Sequence, residues 1–176
     1  MTQPLLVAWS TFYFILATAA ATLAGLLFVG LTFSAGLLKG DVFRQVRIWA
    51  EPLLFDFIQV LAVGAIANMP DLTPVGLACF LAALGTWRVW RLWEVVAHFK
   101  SLGSNSDFEW RDWLELAITP ALLLVILLAS AFGFWLGAEW APLALAISVL
   151  GTLLSGVYNT WSQWVWMLAE KSKGKK

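Results

Sequence analysis

Charge is what this chain has least of. Only 12% of its 176 residues are charged and 61% are hydrophobic, whereas an ordinary soluble domain carries ~25% charge. A globule with so few ionic groups has no polar coat to expose, so a water-soluble monomer is excluded and the bilayer has to act as solvent. Cysteine is nearly absent as well. The single Cys79 sits in an apolar run, which excludes an intrachain disulfide framework and a cysteine metal cluster. Histidine occurs once, as His98, so a haem with two histidine ligands and a di-iron site of paired Glu-x-x-His motifs are excluded too. Basic charge shows no excess, since 11 Lys plus Arg balance 11 Asp plus Glu; no strongly basic stripe is left for nucleic acid. There is no Gly-rich phosphate loop, nucleophile elbow, kinase set or protease set, and no long soluble segment to hold one.

What the sequence has instead is long apolar runs. Crossing ~30 Å of hydrocarbon takes about 20 helical residues, and five segments qualify. The first, from about Leu5 to Leu38, contains no charged side chain; at ~1.5 Å per residue it is about 51 Å long and must tilt or protrude. Lys39, Gly40 and Asp41 end it. Val42 to Glu51 then sets Val42, Val46 and Trp49 against Arg44, Arg47 and Glu51, the pattern of a short helix lying at the interface. Pro52 opens a spanning helix to Met69. The turn Pro70 to Pro74 leaves room only for an antiparallel hairpin, so the third helix, Val75 to Lys100, is expected to pack back on the second. Ser106 and Glu109 fit a capping box that starts a fourth helix near Asp107, with Pro120 as a kink before Leu136. Gly137 to Pro142 makes a second tight turn, and the fifth helix runs to Ala169.

Sorting the charges by end of the bundle fixes a direction. Every Lys and Arg follows the first helix, flanks the loop between the third and fourth, or lies in the tail. The other end carries the amino terminus and the turns with Asp71 and Glu139, so the positive-inside rule puts the N terminus outside and the C terminus in the cytoplasm. Five crossings is the odd number this requires; a four-crossing chain with a cleaved leader lacks the basic n-region such a leader needs. Tryptophans agree, with Trp9, Trp135 and Trp140 near the outer end and the other nine near the basic end, the positions of two interfacial belts. The expected architecture is one all-α polytopic membrane domain over residues 1–176 in a bacterial inner or plasma membrane. Its five transmembrane helices lie at about 5–38, 52–69, 75–100, 107–136 and 142–169, a lone helix and two antiparallel hairpins, with the interfacial helix after the first.

Four groups of residues invite a functional reading. Asp56 lies 14 residues before Pro70 and Arg88 lies 14 after Pro74, so both fall about 21 Å from the outer turn, in the inner leaflet. An unpaired charge there costs several kcal/mol, and an ion pair is expected, with Gln59 one turn deeper and Arg91 one turn nearer the cytoplasm. Such a pair either fixes the hairpin's register or serves permeation or proton relay. Thr11, Thr18, Gly25 and Thr32 recur every seven residues on the first helix, with Thr22 on the same side. This stripe is either a helix-packing seam or the lining of a pore between subunits. Glu94 and His98, one turn apart, offer two ligands to a metal; the neighbouring Arg91, Lys100 and Arg111 make interfacial salt bridges the competing reading. Lys171, Lys173, Lys175 and Lys176 form a tail that attracts anionic lipid headgroups at ~1 kcal/mol per residue. Two hairpins without visible sequence repetition do not support an inverted-repeat transporter. The leading expectation is a homo-oligomeric channel or permeation pathway without cofactor. The alternative is an accessory subunit that binds a partner protein or anionic lipid, and the third reading is a small metal protein or enzyme using Glu94 and His98.

Overall fold

The computed structural model describes the backbone of residues 3–37, 41–102 and 118–173, and the side chains of residues 7–33, 51–93 and 118–162. Among these residues the fold is all-helical, with α1 (Gln3–Leu37), α2 (Asp41–Ala67), α3 (Pro74–Leu102), α4 (Thr119–Leu136) and α5 (Ala141–Lys173). Four stretches are long and apolar enough to cross a membrane: Val7–Phe33, Pro74–Trp93, Thr119–Leu136 and Ala141–Ser162. That is the character of a multi-pass membrane protein. Trp140 and Trp161, both exposed, are 21 residues apart; at ~1.5 Å per residue they stand about 31 Å apart, the thickness of the hydrocarbon core.

One expectation about helix bounds is corrected. The segment from Asp41 to Ala67 is one continuous helix with Pro52 inside it, not an interfacial helix followed by a separate spanning one. A proline removes a single bond from the i→i−4 ladder, and where no glycine or polar turn accompanies it the flanking turns carry the helix past. Pro120 is the second residue of α4 as described, and Ile118 before it already has helical dihedrals; the expected start near Asp107, on which a kink at Pro120 depends, lies outside the described residues. The capping box at Ser106 and Glu109 lies outside the described residues.

The helix ends between α2 and α3 and between α4 and α5 are made by local chemistry. Thr73 caps α3: its Oγ1 accepts the Gly76 N–H at 3.0 Å, with Pro74 as the first helical residue. Asp71, in the turn before it, has φ +61°. At the other turn Gly137 takes φ +68° as the C-cap of α4, and the Ala138 N–H donates to the Gly133 carbonyl.

Packing does not follow the expected pairing throughout. The α4–α5 hairpin is closely packed and antiparallel: Gly133 lies against Ala141 near the turn, and Leu123 meets Gly151 and Ser148 far from it. In contrast, α2 packs chiefly on α1 and α5, α3 packs chiefly on α4, and the α2 and α3 backbones approach each other sparingly. Lipid tails are as apolar as leucine, so helices in a bilayer associate where small residues allow backbones close together. Those residues lie on the contacts that formed. Gly64 of α2 receives Tyr13 and Ala17 of α1, Gly156 of α5 receives Phe57 of α2, and Gly85 of α3 receives Leu124 and Leu128 of α4. At the end with the two short turns, the buried Tyr13 hydroxyl donates to the Pro142 carbonyl at 2.7 Å and ties α1 to α5.

Candidate functional site

The α2–α3 seam is where charged side chains of the described bundle meet: Glu51, Asp56, Arg88 and Arg91. Helix α2 buries Leu53, Phe57, Val60, Val63 and Ala67 against its neighbours. Asp56 and Gln59 project beside this apolar strip, three residues apart and so on one face, with Cβ atoms ~5–6 Å apart. Opposite them α3 brings Arg88 and Arg91, again three residues apart. Arg88 donates from Nη1 to Asp56 Oδ1, and the two side chains are only 15% and 16% exposed.

A second set of contacts bridges the seam, level with this pair and one turn nearer the basic end. Phe55 and Trp87 meet edge to face with centroids 5.4 Å apart. The Arg91 guanidinium lies 4.8 Å from the Phe55 centroid, within cation–π range, and its Nη2 is 3.8 Å from Glu51 Oε1. Long side chains thus span a gap that the backbones leave open, which is why this helix pair needs no glycine. The aromatic pair and the Glu51–Arg91 contact are not legible in the sequence: Phe55 and Trp87 each precede a member of the ion pair, but in an antiparallel pair those steps run in opposite directions.

Gln59 is the anomaly of the seam. It is 4% exposed, and its side-chain Oε1 is buried without a hydrogen-bond donor. An unsatisfied buried carbonyl costs about 1–3 kcal/mol, so the position carries a penalty that an apolar residue would avoid.

The threonine stripe lies elsewhere. Thr11, Thr18, Thr22, Gly25 and Thr32 are all exposed, while α1 packs inward through Tyr13, Leu16, Ala17, Ala20 and Leu27. The stripe is therefore not the seam between α1 and the rest of its own bundle, and nothing lies within 4 Å of a Cβ placed on Gly25. The hydroxyls of Thr18, Thr22 and Thr32 donate to the carbonyls of Phe14, Thr18 and Phe28, one turn back, at 2.8–2.9 Å. With those hydrogens used, the oxygens keep only acceptor capacity on the outer surface.

Of the remaining candidates, Glu94 and His98 fall within the α3 helix, but their side chains lie outside the described residues, as do Lys100 and Arg111. Lys171 and Lys173 fall in the last turn of α5; their side chains, and Lys175 and Lys176 entirely, are outside the description. Among the described residues no three His, Cys, Asp or Glu side chains gather as a metal site would require. Comparison with known proteins yields no family model that matches this chain, and no characterised protein or solved structure that is similar to it.

Proposed function

We propose that this chain is one subunit of a homo-oligomeric membrane protein that forms a permeation pathway, with the threonine stripe of α1 turned toward the axis between subunits. One observation carries this reading: Thr11, Thr18, Thr22, Gly25 and Thr32 sit together on the face of α1 that its own bundle leaves uncovered. Small and hydroxyl residues are not needed against lipid, but they let helices approach closely or solvate a permeating ion. Three of the hydroxyls already donate to their own helix, so the stripe offers lone pairs, which suits cations or hydrogen-bond donors. In this reading α2 is the fifth crossing, the N terminus is outside, and the basic ends of the helices form the cytoplasmic rim.

The test is the mass of the purified chain in lipid nanodiscs, followed by ion flux in liposomes. A closed oligomer whose flux falls at least tenfold in Thr18→Leu and Gly25→Leu variants supports the proposal, whereas an oligomer that conducts nothing refutes it. The accessory-subunit reading rests on the same uncovered face receiving a helix of another membrane protein. It predicts a monomer that co-purifies with one partner and loses it in Gly25→Leu.

A further inference from the structure

Three features of the α2–α3 seam share one explanation. Asp56 and Gln59 are neighbours on one face of α2; Asp56 accepts from Arg88; and the Gln59 carbonyl, in a residue only 4% exposed, accepts from nothing. A carboxylate has no hydrogen to offer Gln59, since the ionised form is acceptor-only. A carboxylic acid has one, because protonation adds an O–H donor. Glutamine–aspartate pairs at this helical spacing are within reach of each other.

We propose that Asp56, Gln59 and Arg88 form a proton-binding site with two states. In the ionised state Asp56 accepts from Arg88 and Gln59 goes unsatisfied. When a proton adds to a carboxylate oxygen, the new O–H donates to Gln59 Oε1 and the bond to Arg88 is released. The guanidinium keeps its charge. The next carboxylate toward the basic end of α2 is Glu51, five residues or about 7.5 Å away along the helix. It already stands near Arg91 at 3.8 Å. The Phe55–Trp87 contact holds the two helices in place while the pair exchanges.

Among the described side chains, the groups that face this site are few. Helix α3 supplies Arg88 and Arg91, and α2 supplies Glu51. On α1 and α5, the other helices packed against α2, the titratable groups among the described side chains are Tyr13, bonded to the Pro142 carbonyl, and Tyr158. Where the α2 and α3 backbones approach sparingly, the Arg88 and Asp56 side chains keep 15% and 16% of their surface exposed. The site is contained in one subunit, so it stands or falls apart from the oligomeric reading.

Infrared difference spectroscopy of the full chain in lipid, titrated from neutral to acid, tests this directly. A protonated-carboxyl band that appears on acidification, shifts in heavy water and is missing in Asp56→Asn is the expected result. Asparagine can itself donate to Gln59, so that variant should fold. In Gln59→Met, which keeps the volume and removes the acceptor, the band should move to higher frequency, and half-protonation should need about tenfold more protons, the equivalent of one hydrogen bond. Gln59→Leu serves as a second apolar variant. The other carboxyl groups of the chain give bands in both proteins, so acidification spectra that are the same with and without Asp56→Asn overturn the proposal, and so does an Asp56 band whose frequency and midpoint are unchanged in both Gln59 variants. If the Gln59 variants remove only a water band and leave Asp56 untouched, the amide binds water and the two-state site is wrong.

Discussion

Helices α2 and α3 and helices α4 and α5 are each joined by a turn of a few residues, yet the two pairs are held in opposite ways. Across α4–α5 the contact is made by Gly133, Gly151 and Ser148, whose small side chains let Ala141 and Leu123 settle against the opposing backbone. Across α2–α3 the backbones stay apart and the bridge is made by Asp56 with Arg88, Phe55 with Trp87, and Arg91 with Phe55 and Glu51. A short turn brings two helices into neighbourhood but does not decide how close they lie; side-chain size at the contact does. The close pair should behave as a rigid unit and the bridged pair as one with alternative bonding states. Among the described residues, only the bridged pair contains a buried polar atom without a partner.

The largest effect should come from breaking the bridge. Asp56→Ala leaves Arg88 unpaired in a largely buried position, and removing one member of a buried ion pair costs about 3–5 kcal/mol. With both side chains about 15% exposed, the lower end of that range, about 3 kcal/mol, is expected. Unfolding in mixed micelles with increasing SDS measures it. The double replacement Asp56→Leu with Arg88→Leu should recover most of the loss, since two apolar residues leave no charge to desolvate. If the double variant is as unstable as the single one, the seam depends on something other than this pair.

The difference between the two pairs was only half visible in the sequence. Equal counts from the turn, 14 residues on each side, placed Asp56 and Arg88 at one depth, because rise per residue is fixed in a helix. Depth says nothing of lateral packing, and so α2 was expected against α3 when its glycine, Gly64, in fact receives α1. The regular spacing of Thr11, Thr18, Gly25 and Thr32 marked one face of α1, but periodicity does not tell an inward face from an outward one when every other residue is apolar. In a soluble helix the polar face would have given the answer. The charge pattern of Asp41 to Ala67 changes at Pro52 and suggests two helices where there is one. Charge pattern reports where a helix meets the headgroups, whereas continuity of the helix is decided by backbone bonds.

A strain placed in the close pair comes next in size. A Cβ on Gly133 would lie 2.9 Å from Ala141 Cβ and 2.9 Å from the Trp140 ring. Alanine 141 has no flexible end to move aside. Gly133→Val should therefore push α4 and α5 apart near their turn at a cost of about 2 kcal/mol, within the range for overpacking. Disulfide cross-linking of cysteines introduced at Leu123 and Ser148 in a Cys79→Ala background would show whether the far end of the hairpin opens with it. An undisturbed cross-linking rate would mean that the two helices move as one body after all.

Ser148 makes a finer distinction. Its hydroxyl donates to the Leu123 carbonyl at 2.8 Å, from one helix of the close pair to the other, and the residue is buried. Ser148→Ala should lose about 1 kcal/mol by the same SDS unfolding. Ser130→Ala is the control: that hydroxyl bonds only within α4, to Leu127, and its loss should be smaller. Equal losses would assign both effects to burial and not to the bond between helices.

The smallest effect separates the two turns. Both pass through the left-handed region, at Gly137 with φ +68° and at Asp71 with φ +61°, but only Gly137 is free of a Cβ there. A side chain in that region costs about 1 kcal/mol or more, less for aspartate, whose short polar group bonds locally. Gly137→Ala should therefore destabilise the chain by about 1 kcal/mol, while Asp71→Gly should be neutral or gain a few tenths, since glycine relieves the strain but enlarges the entropy of the unfolded turn. Asp71 is exposed and has no bond to a charged partner among the described residues, so the comparison reads the backbone alone. If Asp71→Gly were instead as damaging as Gly137→Ala, the aspartate would be holding its turn through its side chain, and the α2–α3 pair would owe its geometry to the turn as well as to the bridge.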